Sequence, residues 1–195
     1  MADSLLDVEA FFRQLPDKAE KSAQLAINTV ANRSGMTLIR RSILEDIAFP
    51  RDYLTGDRLG VTKNATPGNL EAVITARKRP TSLARFAAPG TPIGRQSKAA
   101  VRVRVSRGGG SKTFSKYAWL TRLRNGNIGL AIRLKPGETL DNRLGEPAWL
   151  VPNAVALLYG PSVDQVFRHV SADTAGPIGN LVSAEFLRQF TRLTR

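Results

Sequence analysis

Apolar residues at the start of the chain recur at helical spacing. Leu5, Val8, Phe12 and Leu15 share one face, with Phe11 beside them. Ser4 stands where a cap belongs, with Asp7 three residues on. This predicts a short amphipathic helix over 4–15. Pro16 suits the first position of a new helix, and Asp17 and Glu20 favour its first turn. Ala19, Ala23, Ala26, Ile27, Val30 and Ser34 then form a stripe of small residues. Leu38, Ile39, Ile43, Leu44 and Ile47 continue it with larger ones. A long second helix over 17–48 follows, with Gly35 as a candidate kink. Small residues let a second backbone approach closely, whether the protein's own sheet or another subunit. Phe49-Pro50 ends the helix.

The middle of the chain changes period. Residues 51–64 read as loop, anchored by Tyr53 and Leu54, and 70–76 as a strand. Residues 79–98 hold Pro80, Pro89, Gly90, Pro92 and Gly94 without apolar periodicity. They read as an extended arm that orders only against a neighbouring subunit, with Arg79, Arg85, Phe86 and Arg95 as its contact residues. Val101, Val103 and Val105 then alternate with Arg102, Arg104 and Ser106, the period-two signature of a half-buried strand with an arginine face. Gly108, Gly109 and Gly110 break it, and 116–123 reads as the return strand. Asn125-Gly126 marks a tight turn into a strand over 128–134. Residues 149–152 are expected to dock on the core and 155–159 to form a short buried strand. Ser162 and Gln165 have capping-box spacing and open a helix through Val170. A last helix spans about 178–195. The fold class expected is α+β, one domain over 1–195. It combines N-terminal helices (4–48), a basic β-meander with its arm (70–135), and a strand with C-terminal helices (155–195). An antiparallel sheet of about four or five strands packs against the helices.

Charge changes this picture. Between Glu71 and Glu138 lie fifteen Lys and Arg and no carboxylate, whereas the whole chain nets +13, so everything else nets −2. Concentrated charge of one sign attracts polyanions or acidic partners. The candidates are Arg102, Arg104, Arg107, Lys112 and Lys116, on the strand face and around the glycine loop. Few aromatics accompany them, namely Phe86, Phe114, Tyr117 and Trp119, and no helix-turn-helix or RNP signature is present.

Enzyme chemistry finds little to stand on. There are no cysteines and one histidine, His169, without ligand spacing around it. The run Gly108-Gly109-Gly110-Ser111-Lys112-Thr113 fails as a phosphate loop, because Ser106 and Ser111 stand where glycines are required. Ser162 lacks the second glycine of a nucleophile elbow. Asp164 and Glu185 are single acids without a visible partner for proton transfer. No cofactor, metal, small-molecule substrate or membrane contact is expected. The first residues lack a basic stretch followed by an apolar run, so no secretory signal is expected.

Ala26-Ile27-Asn28 with Val30 and Ala31 precede the basic, glycine-punctuated middle. A Val-Pro stretch and Leu157-Leu158-Tyr159-Gly160-Pro161-Ser162-Val163-Asp164-Gln165-Val166-Phe167 follow it. In order and character this resembles the prophage minor tail protein Z family, tail-completion proteins of lambda-like phages. The resemblance implies a non-enzymatic virion protein of the head–tail junction or upper tail, assembled in the host cytoplasm. It implies a homo-oligomeric ring, six-fold in preference to twelve-fold. Its neighbours would be connector, tail terminator or tail tube proteins, with genomic DNA in the channel. A stand-alone, sequence-independent nucleic-acid-binding protein is the alternative.

Overall fold

In a computed structural model, residues 2–94, 100–114, 117–134, 150–151 and 155–195 are described. The fold is α+β. Helix α1 (Ala2–Asn32) is followed by α2 (Ser34–Asp46) and by strands β1 (Leu59–Lys63), β2 (Val73–Ala76) and β3 (Thr81–Ser82). Then come β4 (Val101–Val103), β5 (Lys112–Phe114), β6 (Ala118–Arg122), β7 (Ile128–Arg133), β8 (Leu150–Val151), β9 (Val155–Gly160) and helix α3 (Val163–Thr194). The sequence leads to one domain. The chain groups into two compact units, one of 1–42, 55–76 and 167–195, the other of 43–54 and 77–166.

In the first unit, α1 runs unbroken through Pro16, where two helices were expected. A proline removes one helical hydrogen bond, and Pro16 does so near the middle of this 31-residue helix, which continues on both sides of it. The break falls instead at Arg33. Gly35 packs there so tightly that a Cβ would lie 2.8 Å from the Val30 carbonyl oxygen. Among the described side chains of α1, Ser22, Ala26, Val30 and Ala31 are buried, so of the small-residue stripe Ala26 and Val30 are core while Ala19, Ala23 and Ile27 are half-buried and Ser34 is exposed. A polar stripe runs beside it at four-residue spacing. Asn28 donates from Nδ2 to the Ala65 carbonyl at 2.9 Å and accepts from the Ala65 N–H at 2.7 Å. Asn32 bonds Asn64, and Glu20 accepts from the Gly68 N–H. This stripe holds the loop between β1 and β2, which pair antiparallel. Strand β1 falls in the stretch expected to be loop.

The second unit contains a five-stranded antiparallel sheet in the order β3-β9-β7-β6, with β8 also on β9. Its core face carries Ala118 and Leu120 of β6, Leu130 of β7 and Ala156 of β9, all buried. The turn at Asn125-Gly126 forms as expected. Gly126 adopts φ 77°, and Leu123 N–H donates to the Asn127 carbonyl at 2.8 Å. The expected return strand over 116–123 is corrected. The strand that follows the glycine loop and pairs with β4 is β5, and β6 pairs with β7.

The arm is also corrected. Strand β3 joins the sheet edge, and a 3-10 turn at Leu83–Phe86 follows it, capped by the Ser82 hydroxyl. Ala88 N–H donates to the Arg102 carbonyl and Gly94 N–H to the Leu120 carbonyl. Residues 81–94 are thus docked on their own unit without a neighbour. Two anchors explain this. Phe86 is buried, its ring 5.4 Å from that of Phe49. The buried hydroxyls of Tyr53 and Thr81 share a 3.0 Å hydrogen bond. The sequence shows one aromatic here rather than a periodic face, so the pattern carries no strand or helix signal.

Helix α3 is one continuous element through Pro177, where two helices were expected. Its capping box forms as read. Ser162 N–H donates to Gln165 Oε1 at 2.9 Å, and Gln165 N–H donates to Ser162 Oγ at 3.1 Å. The Ser4 cap and the docking of 149 and 152 fall outside the described side chains and residues. Among the described residues no helix is long and apolar enough to cross a membrane.

Candidate nucleic-acid interface

The cationic stretch folds into the hairpin β4–β5, with Val101 opposite Phe114, Arg102 opposite Thr113 and Val103 opposite Lys112. Val101 and Val103 are 2% and 3% exposed, while Arg102 and Arg104 are exposed. The alternation read from the sequence is therefore real, and burial of the two valines forces the two arginines outward. The inner edge of β4 is fixed: Arg104 N–H donates to the Phe86 carbonyl at 3.0 Å, and Ala87 bridges Val103.

Beyond β4 the chain is pinned again before it turns. Ala48 N–H donates to the Val105 carbonyl at 2.7 Å, Ser106 bridges Ile47, and Arg107 N–H donates to the Asp46 carbonyl at 2.9 Å. The loop tip is free of such ties. Gly108 and Gly110 are exposed, and a Cβ at either would meet nothing within 4 Å. Packing does not require glycine there, so what these residues add is backbone freedom.

The hairpin register divides the basic residues between two faces. Directly opposed residues project to the same side, so Thr113 accompanies Arg102. Lys112 shares the opposite side with the buried valines and Phe114, and its ammonium lies 5.3 Å from the centre of the Phe114 ring. Arg104 is partly committed, one guanidinium nitrogen donating to the Arg107 carbonyl. Arg102, Arg104, Arg107 and Lys112 are all exposed, and Lys116 lies outside the described residues. The four described candidates do not form one flat face. Arg102 and Arg104 form one, and Arg107 and Lys112 border the loop.

Of the expected arm contacts, Arg79 and Arg85 are exposed, Phe86 is core and Arg95 lies outside the described residues. Phe86 is thereby removed from the interface set. Arg85 places its guanidinium carbon 5.1 Å from the Tyr53 ring centre. Arg77 lies 5.6 Å from the same ring and donates to its hydroxyl at 2.6 Å. Sequence spacing gave no hint of this pairing of two arginines on one tyrosine, because Tyr53 lies far from both along the chain.

Of the two acids weighed for proton transfer, Glu185 sits in an ion pair. Hydrogen bonds from Arg188, and secondarily from Gln189, hold the Glu185 carboxyl down at about 2. It is bound bidentate by Arg188 at 2.6 and 2.7 Å. Such a group stays ionised near neutral pH. His169 is exposed on α3. Among the described residues no group of three or more His, Cys, Asp or Glu is placed to hold a metal ion. No family model matches the chain, and neither the curated proteins nor the solved structures contain a significant match.

Proposed function

We propose that this chain is a non-enzymatic structural subunit of a tailed-phage neck or upper tail, assembled as a ring, whose β4–β5 hairpin contacts DNA in the channel. The observation that carries the DNA contact is the hairpin. Its exposed arginines flank a glycine tip, within a segment that contains no acid to neutralise them. Phosphate contacts need no sequence reading, and a loop of free backbone conformation adapts to a polymer whose symmetry differs from that of the ring. The virion assignment draws on the resemblance to the minor tail protein Z family. The neighbours would be connector, terminator or tube proteins.

The same hairpin would serve a stand-alone, sequence-independent nucleic-acid-binding protein, and imaging separates the two. Negative-stain images and native mass spectra of the purified chain should show closed rings without DNA. A chain that stays monomeric in both, and binds DNA as a monomer, overturns the ring assignment in favour of the stand-alone protein.

A further inference from the structure

The hairpin contains one aromatic side chain, Phe114. Val101, directly opposite, is 2% exposed, whereas Phe114 is only half-buried. Position explains the difference. Strand β5 is the outer strand of the pair and has β4 as its one neighbour among the described strands, so the Phe114 ring stands at the rim of the layer. Over that ring lies the ammonium of Lys112, 5.3 Å from its centre, and Lys112 itself is exposed.

A cation over an aromatic face occupies a surface that a nucleobase takes more firmly. At an exposed site the cation is worth roughly 2- to 5-fold in an equilibrium. A base stacked on an aromatic side chain is worth roughly 5- to 150-fold. A base therefore displaces the ammonium, and the freed lysine meets a phosphate of the same strand. Bases inside a continuous duplex are already stacked and must first be pulled out, so the ring selects unpaired ones. The hairpin register allows both kinds of contact at once. Arg102 and Arg104 face one side, and Lys112 and Phe114 the other. DNA lying on the arginines reaches the ring by passing an unpaired stretch round the outer edge of β5.

We infer that Phe114 is a stacking platform for an unpaired nucleobase, uncovered when Lys112 moves from its ring to a backbone phosphate. The hairpin then holds DNA with an unpaired stretch more tightly than continuous duplex. The inference rests on the DNA contact proposed for the hairpin and names the form of DNA it favours.

Fluorescence anisotropy tests this with a labelled blunt duplex, the same duplex carrying a short thymine tail, and the same tail with abasic sites in place of its bases. The abasic tail keeps the phosphates and removes the rings. Wild type is expected to bind the thymine tail roughly tenfold tighter than the abasic one. Phe114→Leu, with its fold checked by thermal melt, is expected to erase that difference while binding the blunt duplex no more weakly than wild type. Lys112→Ala is expected to lower the salt slope for the thymine tail by about 0.7, and by less for the blunt duplex. Equal binding of the two tails by wild type, a preference that survives Phe114→Leu, or an equal effect of Lys112→Ala on both DNAs overturns the platform while sparing the DNA contact. No binding to any of these DNAs overturns both.

Discussion

Replacing Arg102 and Arg104 together by alanine should halve the salt dependence of DNA binding. Each duplex phosphate neutralised by lysine or arginine contributes about 0.9 to the slope of log K against log salt. Among the described residues four exposed cations border the hairpin, and their full engagement gives a slope of about −3.6. That is roughly a 150-fold loss of affinity between about 50 and 200 mM salt. Removing the arginine pair leaves a slope of about −1.8 and roughly a 12-fold loss over the same range. Lys112→Ala should change the slope less than either arginine does. Its ammonium sits over the Phe114 ring on the other side of the hairpin, a contact of about 0.5–1 kcal/mol that phosphate binding would have to replace. Fluorescence anisotropy with labelled duplexes of unrelated sequence, across a salt series, measures these slopes, and thermal melts confirm that the variants fold. A wild-type slope near zero would refute the reasoning and assign the charge to a protein partner. So would a double variant whose slope matches wild type.

Phe86→Ala should cost about 3–5 kcal/mol in urea unfolding, as a buried aromatic does, while Arg85→Ala should stay within about 1 kcal/mol; equal effects would mean that the arm is not docked through Phe86. Gly35→Ala would gain about 1 kcal/mol of helix propensity, but its Cβ would lie 2.8 Å from the Val30 carbonyl oxygen. Overpacking costs of about 1–3 kcal/mol should win, so a net gain in stability would contradict the close approach. The Glu185 carboxyl is held at about 2 by Arg188, below its unfolded value of about 4.3. Its contribution is therefore complete above about pH 4.3 and is lost as pH falls towards 2. Because Arg188 is 62% exposed, screening limits it to about 1 kcal/mol. Glu185→Gln should flatten that acid limb of the stability curve, and an unchanged limb would rule the pair out as its source.

Strong local signals in the sequence were legible, and pairings set at long range were not. The Ser162–Gln165 box, the Asn125-Gly126 turn and the valine–arginine alternation each depend on residues within a few positions of one another, and each forms as read. Pro16 and Pro177 misled because proline marks a local cost of about 3 kcal/mol. Packing elsewhere along a helix of about thirty residues can offset it. Strand β1 reads Leu-Gly-Val-Thr-Lys, with only Leu59 buried, too little alternation to stand out. Its partner and the Asn28 clasp on Ala65 define it, and both are distant in sequence. The arm was missed for the same reason: its order comes from Phe49, Tyr53 and the backbone of β4, none of which the segment itself contains.

The charge of the hairpin is the part that folding does not explain. Burying Val101 and Val103 requires only that residues 102 and 104 be polar. Threonine would do that with better strand propensity. A carboxylate at position 113, opposite Arg102, would add about 0.2–1 kcal/mol as a cross-strand pair. The chain has Thr113 there instead. Arg107 and Lys112 likewise flank the exposed Gly108–Gly110 tip, with no acid from Ala72 to Gly137 to offset them. Acids are therefore missing where they would stabilise the fold, while Lys63 and Glu71, just outside, form an ordinary 2.8 Å pair. Self-repulsion of this kind is retained at a cost to the isolated chain. Under the proposed function the phosphates of DNA would relieve it beyond what salt screening does.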